Sequence, residues 1–301
     1  MKMQNTDRGE LNKAVENWWN SNPFTLGLGT KDRHDLTGKV EQIDLTFFKE
    51  VERKMRKWWI GATYEYASQP LLANFVPYKS LAGKQVLDIA VGTGWSAVEM
   101  AQHGAHVTGI DITDEAIRLS KQHAELKGVQ NVHFQKMDAQ ALTFPDAQFD
   151  FVLSWGCHMH MPDTEKSLSE VHRVLKPMGL AVSYLYNKSS WTYWFNFLFL
   201  RGILGGKLFK YRGDATKLVS RYTDGSAKGG NALTKVYTPS ELVGMYRAAG
   251  FSSAWVVTLP LRGEVEGWPV GVFPVFKFLP ECLRVWMGKK WAWGLVVMAV
   301  K

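Results

Sequence analysis

The stretch Val86-Leu-Asp-Ile-Ala-Val-Gly92-Thr-Gly94-Trp-Ser-Ala97, followed by Val107-Thr-Gly-Ile-Asp111, decides how this chain is read. It runs as a buried strand, a tight glycine turn into a helix, and a second strand that ends in an acid. That order opens a doubly wound α/β fold, which binds an adenosine-containing cofactor at the carboxyl ends of its strands. Gly92 and Gly94 let the backbone approach a ligand where a Cβ would collide. Asp111 stands about twenty residues beyond the glycines, where a carboxylate accepts hydrogen bonds from both ribose hydroxyls.

The glycines alone do not choose the cofactor, because Gly92-Thr-Gly94-Trp-Ser-Ala97 also satisfies the dinucleotide pattern G-x-G-x-x-G/A. Asp88, at the junction of strand and turn, argues against a dinucleotide. A carboxylate there repels a pyrophosphate and suits a cationic amino-acid tail. A third strand, Val132-His-Phe-Gln-Lys-Met137, leads into Asp138-Ala139, a polar pair placed to meet an adenine edge. Then come Phe149-Asp-Phe-Val-Leu-Ser154 and Leu168-Ser-Glu-Val-His-Arg-Val-Leu-Lys-Pro-Met-Gly179.

Together these segments, from Leu81 to Tyr186, resemble the class I S-adenosylmethionine-dependent methyltransferases, in particular the small-molecule branch with an HxxD…ExxRVLKPGG pattern. The resemblance implies S-adenosyl-L-methionine as cofactor and S-adenosyl-L-homocysteine as product. It implies a Rossmann-like, seven-stranded, mostly parallel sheet with an antiparallel last strand. The expected cofactor-binding set is Asp88, Ala90, Gly92, Gly94, Trp95, Asp111, Ile112, Asp138, Ala139 and Ser154. Ala90 stands where the family usually has glycine, a change of one methyl group that reads as mild. Met178 replaces the first glycine of the Pro-Gly-Gly turn, and Trp95 is bulky enough to shape the methionine end of the cofactor site.

At 301 residues the chain fits one elaborated domain. The reading divides it into an N-terminal helical cap (1–80), the cofactor-binding core (81–186), a cap insertion (187–237), and a C-terminal part of the core (238–301) with a second insertion at 260–294. The core between Leu81 and Leu180 holds only Trp95 and Trp155 of the 13 tryptophans, so the caps are the aromatic part. Long segments of this kind are usually lids or binding loops. The net charge of +8 suits either simple solubility or an acidic partner. No run of five or six like charges suggests a nucleic-acid arm, and no nucleic-acid partner is expected. Cys157 and Cys282 are too few for a disulfide framework, and no metal site is expected. The amino terminus shows no apolar signal region, so a cytoplasmic location is the expectation. Val270–Met287 is too short and too broken to span a membrane, but its aromatics beside Lys289 and Lys290 leave a peripheral membrane contact open.

Apolar periodicity predicts helices over Leu11–Trp19, Leu45–Trp59 and Tyr64–Val76. Strands are predicted at Gln85–Ile89, Ala105–Ile110, Val132–Lys136, Phe149–Ser154 and Leu180–Tyr186, with a last antiparallel pair at Ser253–Leu259 and Leu295–Val300. Thr238-Pro239 reads as N-cap and first residue of a helix.

Methyl transfer from a sulfonium is an in-line displacement, so the site must hold donor carbon and nucleophile close and collinear. Trp155-Gly-Cys-His158-Met-His160 follows strand four, where the transferred methyl should lie. His158 is the favoured general base or orienting group, because histidine titrates near neutrality; a structural role is its alternative. His160 matches the histidine of HxxD and is expected to hold the loop through Asp163 or backbone. Tyr186 should border a small-molecule substrate. Arg221, in Ser220-Arg-Tyr-Thr-Asp-Gly225, is placed to clamp an anionic group or else to staple its own turn. Tyr64 and Tyr66 are candidates to close over the cofactor. The acceptor is read as a small or medium metabolite, with a lipid or quinone-like acceptor and a non-catalytic sensor as alternatives; the oligomeric state is not legible.

Overall fold

A computed structural model describes residues 5–25, 28, 43–56, 70–224, 229–260 and 280–301. In chain order the elements are α1 (Asn5–Ser21), α2 (Leu45–Met55), β1 (Gln85–Ile89), α3 (Trp95–Gln102), β2 (His106–Asp111), α4 (Asp114–Lys127), β3 (Val132–Lys136) and β4 (Phe149–Trp155). After a short 3-10 turn at His158–His160 come α5 (Thr164–Val174) and β5 (Leu175–Tyr186). A π-helical segment (Thr192–Leu204), α6 (Lys207–Lys210), α7 (Ala215–Tyr222), α8 (Pro239–Ala248), β6 (Ser253–Leu259), α9 (Glu281–Lys290) and β7 (Gly294–Val300) complete the chain.

The apolar runs of β1, β2 and β4 are buried on both faces, as the inner strands of a parallel sheet must be. The sheet has seven strands in the order β3-β2-β1-β4-β5-β7-β6. β1 to β5 are parallel, and β7 runs antiparallel between β5 and β6. One face packs on α3 and α4 through Ala97, Val98, Ile117 and Ala124, and α2 lies against α4, with Phe48 stacked on His123 at 4.0 Å. The other packs on α5 and α8 through Leu168, Val171, Leu242 and Tyr246. The helix at Pro239 starts as its sequence requires: Thr238 and Glu241 form a reciprocal capping box with proline in the first turn.

Two boundaries differ from the sequence reading. β5 begins at Leu175, which pairs with Phe149; the chain then bulges and rejoins at Leu180 opposite Phe151. Met178 sits in that bulge with φ 63° and is 81% exposed, so the turn's usual glycine is replaced by a left-handed methionine facing solvent. Residues 71–75 form turns, not the end of a helix, because Leu72 is left-handed (φ 62°) and its carbonyl accepts from both Phe75 and Val76. Tyr64, Tyr66 and the remainder of that expected helix lie outside the described residues, as do 57–59 and 261–279.

The glycine turn also behaves differently from its first reading. The amides of Ala90 and Val91 both donate to the Ile110 carbonyl, at 2.7 and 3.1 Å, and this ties β1 to the end of β2. Ala90 is left-handed (φ 61°), so its methyl carries a backbone penalty and is not a neutral addition. A Cβ on Gly94 (φ 76°) would lie 2.9 Å from the Cα of Ser120. Gly94 therefore admits α4, not a ligand. Only Gly92, whose Cβ direction meets nothing within 4 Å, leaves open space.

Two substitutions separate these roles. Gly94→Ala should lower unfolding free energy by about 2 kcal/mol or more, since strain and overlap act together. Ala90→Gly should change it by no more than about 1 kcal/mol, lost strain being offset by added unfolded-state freedom. Urea unfolding of both variants measures this; a silent Gly94→Ala would mean that the α3–α4 junction yields.

Candidate functional site

The carboxyl ends of β1, β2, β4 and β5 surround one cavity, bounded on its open side by α1. Its volume of about 170 Å³ far exceeds the space one water needs. Of the expected residues, Ala90, Gly92, Trp95, Asp111, Ile112, Asp138, Ala139 and Tyr186 line it.

Asp111 organises the end of the cavity beside the glycine turn. Its Oδ1 accepts from the Thr113 amide (2.9 Å) and hydroxyl (2.8 Å), and its Oδ2 accepts from the Gly92 amide at 3.2 Å. Burial raises its pKa, and these bonds from Thr113 and Gly92 oppose the rise. Asp138 accepts from the Gln140 amide (2.9 Å) and, through Oδ2, from Asn12 of α1 at 2.8 Å. Further polar ties hold α1 down: Arg8 pairs with Asp163, Glu16 with Lys136 at 2.7 Å, and Asn20 accepts from the Glu115 amide at 3.2 Å.

Five expected site residues do not line the cavity, and Gly94, packed against Ser120 of α4, is one of them. Asp88 points beneath the turn, where its Oδ2 accepts from Ser96 of α3 at 2.5 Å. Burial pushes its pKa up to about 7, so it serves as an internal brace of the turn. Ser154 is buried within β4, off the cavity wall. His158 is fully buried under α5, with Nδ1 3.4 Å from Ser167 Oγ. Burial pushes its pKa down to about 4, and it does not reach the cavity. Arg221 lies on α7 with its guanidinium 5.8 Å from the Tyr222 ring, also off the wall.

His160 takes the place expected for His158. The 3-10 turn sends the two histidines in different directions, and the second enters the cavity. Its Nδ1 lies 2.7 Å from the Leu233 carbonyl, so Nδ1 carries a proton and donates it there. Its Nε2 lies 3.4 Å from Oδ2 of Asp224. The Tyr186 hydroxyl donates to both oxygens of Asp224 at 2.9 Å. Burial, and then the Asp224 charge, raise the Tyr186 pKa well above the usual phenol range, which keeps it a donor. Asp224 was missed although it sits in the polar loop singled out for Arg221. Its signal was the carboxylate itself, next to a glycine at a helix end.

Aromatic rings form the rest of this wall. Trp155 stacks on Tyr184 at 5.0 Å, Tyr186 stacks on Trp293 at 4.6 Å, and Trp19 of α1 meets His160 edge-on at 5.2 Å. Tyr184 and Tyr186 reach the same face because strand side chains alternate. Cys157 also lines the cavity, and burial raises its thiol pKa, which disfavours a thiolate there.

The ExxR motif is structural. Arg173 binds both oxygens of Glu170 (3.0 and 2.8 Å) and the carbonyls of Leu142 and Phe144, while Glu170 accepts from the Leu142 amide. It staples the loop after β3 to α5.

A methyltransferase-domain family profile matches residues 86–179. The ubiquinone biosynthesis O-methyltransferase of Aeromonas salmonicida is 31% identical over 215 residues, covering 69% of this chain and 82% of that protein. Phosphoethanolamine N-methyltransferase 2 of Caenorhabditis elegans is 36% identical over 107 residues, but the chain spans only 24% of its length. Among solved structures, a chain of the complex between the Haloferax volcanii Trm112 methyltransferase activator and a methyltransferase superposes with a TM-score of 0.55. It has 15% identity and covers 85% of this chain and 94% of that one, a likeness of fold.

The neutral burial of His158 has a pH signature. The unfolded ring binds a proton near pH 6.5 and the folded ring only near 4, so the unfolded state holds more protons in that window. Stability is therefore lost as pH falls from 6.5 toward 4. Between pH 7 and 4.5 the wild type should lose about 2 kcal/mol more than His158→Gln, read by urea unfolding at both values. Equal losses would show that His158 takes up its proton without unfolding.

Proposed function

The chain belongs to the class I S-adenosylmethionine-dependent methyltransferases, and on that premise we propose that it methylates a hydroxyl oxygen on a flat, largely apolar acceptor, with His160 receiving the proton. The cavity fits the cofactor. Gly92 leaves open space beside Asp111, and the described residues of the wall include three carboxylates, Asp111, Asp138 and Asp224, and no lysine or arginine. Such a wall favours a ligand that carries sulfonium and ammonium charges. Asp111 would hold the ribose, with Asp138 and Ala139 at the adenine edge. When bound, S-adenosylmethionine supplies an electrophilic methyl group whose bond to sulfur breaks as the bond to the acceptor oxygen forms.

The observation that carries the oxygen assignment is the His160–Asp224–Tyr186 group. His160 is the one imidazole among the described residues of the wall. Its Nδ1–H is committed to Leu233, which leaves the Nε2 lone pair facing the cavity side occupied by Asp224. A hydroxyl acceptor gives its proton to Nε2 as the oxygen forms its new bond. The imidazolium that results is met by Asp224, which Tyr186 holds in place. The rings of Trp19, Trp155, Tyr184 and Tyr186 suit a planar acceptor. The absence of lysine and arginine from the described wall disfavours an acceptor bearing phosphate. The A. salmonicida relative is named as an O-methyltransferase, which supports the same atom.

The test uses methyl-labelled cofactor with catechol-like and hydroxyquinone acceptors alongside alkylamines. Methylated phenols, with amines left unlabelled, are expected. Labelled amines alone would overturn the oxygen assignment. With the productive acceptor, His160→Ala should lower kcat by about 100-fold or more, while cofactor affinity stays within about threefold. Asp111→Asn should do the reverse, weakening cofactor binding about 10- to 100-fold by calorimetry.

A further inference from the structure

We propose that the outer face of the segment from Trp191 to Lys217 docks on an anionic lipid surface. The π-helical stretch Thr192–Leu204 has two faces set by its wide turn, in which bonds run from residue i to i+5. Tyr193, Phe197 and Gly202, spaced by four and five residues, face inward and are buried. Trp194, Phe199 and Ile203 follow the same spacing on another side, with Leu204 next to Ile203, and the four are 58, 42, 55 and 67% exposed. Phe209, on α6 just beyond, is 83% exposed. Five large apolar side chains thus lie open on consecutive turns, more than the scattered single residues of an ordinary surface.

Charge identifies the occupant. Residues 191–217 contain Arg201, Lys207, Lys210, Arg212 and Lys217 against a single acid, Asp214. Asp214 caps α7 and lies 3.8 Å from Lys217. Arg201 rests on the Tyr222 ring at 4.2 Å and donates to Asn196, so its charge is met by neutral groups there. Apolar side chains flanked by unneutralised cations match the headgroup boundary of an anionic bilayer, where rings and aliphatic chains enter and cations stay with the phosphates. The 13-residue π segment is far short of a membrane span, and no helix among the described residues is long and apolar enough to cross one. It lies on the surface and does not pass through it.

A second element adjoins this face. The Trp191 amide donates to the Trp291 carbonyl at the end of α9. On α9, Leu283 and Trp286 are 39 and 50% exposed, and Lys290 sits 4.9 Å over the Trp286 ring. The inner side of the π segment connects to the site: Phe197 packs on Trp293 at 5.4 Å, and Trp293 stacks on Tyr186. The docked face and the cavity wall therefore share one aromatic layer. The inference stands whichever atom accepts the methyl group.

The experiment is co-sedimentation of the full chain with vesicles of phosphatidylcholine, alone or with one third phosphatidylglycerol, at low and physiological salt. Sedimentation velocity of the free protein accompanies it. Binding to the mixed vesicles that weakens with salt is expected. Trp194→Ser/Phe209→Ser should reduce it at least about tenfold, and Lys207→Glu/Lys210→Glu should reduce it by a similar factor only on anionic vesicles. Both variants alter exposed side chains, and unchanged cofactor affinity would verify their fold. Failure of the wild type to sediment at low salt would overturn the proposal, as would binding that survives both variants. Self-association lost in Trp194→Ser/Phe209→Ser, without vesicle binding, would assign the face to a second copy of the chain.

Discussion

A single carboxylate, that of Asp111, fixes the relation between the glycine turn and the helix beyond it. One oxygen holds the Gly92 amide, and the other holds the amide and hydroxyl of Thr113, whose own hydroxyl caps α4 at Ala116. From α4, Ser120 donates back to the Gly92 carbonyl at 3.1 Å, and His123 Nδ1 reaches the Thr93 carbonyl at 3.0 Å. The loop is thus held from both sides by groups on one strand end and one helix. A buried carboxylate is costly unless its lone pairs are used, and here the turn itself uses them. The turn at this end of the cavity is held by the chain's own groups, an arrangement that lowers the ordering cost of binding a ligand there.

The sheet was legible because its inner strands are short apolar runs punctuated by glycine and followed by amphipathic helices. That pattern has few other solutions. The directions of single side chains were less legible. His158 and His160 are two residues apart, and only the geometry of a 3-10 turn decides which enters the cavity. Gly94 looked like a ligand contact and proved to be a packing contact with Ser120, a residue 26 positions away. Asp88 looked like a cofactor contact and proved to brace Ser96. Asp224 escaped notice because it meets Tyr186 only after the chain has traversed the π segment, α6 and α7. Long-range closure of that kind leaves no local period to read.

The segment leading to α8 passes over the His160 turn, where the Lys235 amide donates to Met159 and the Lys235 ammonium binds the Pro162 carbonyl at 2.9 Å. The same segment supplies the Leu233 carbonyl that sets the His160 tautomer. On the opposite side, α1 reaches Asp138 through Asn12. The two ends of the cavity are therefore controlled by different parts of the chain, and a change in one need not disturb the other. This division suits an architecture in which a common cofactor site serves many acceptors.

The placement of β7 has a consequence for how the chain is made. β6 pairs with β7 alone, and β5 offers its outer edge to the same strand. Until residues 294–300 emerge from the ribosome, β5 stands as an apolar strand with an open edge, and β6 waits without a partner. Between β6 and β7 lie 34 residues, more than two seconds of synthesis at roughly 15 residues per second. During that interval the nascent chain carries two unsatisfied edges that can pair with a neighbouring polypeptide as readily as with their own late strand. A chain of this topology has reason to meet a chaperone while still attached to the ribosome, and insertions lengthening the β6–β7 connection extend the exposure.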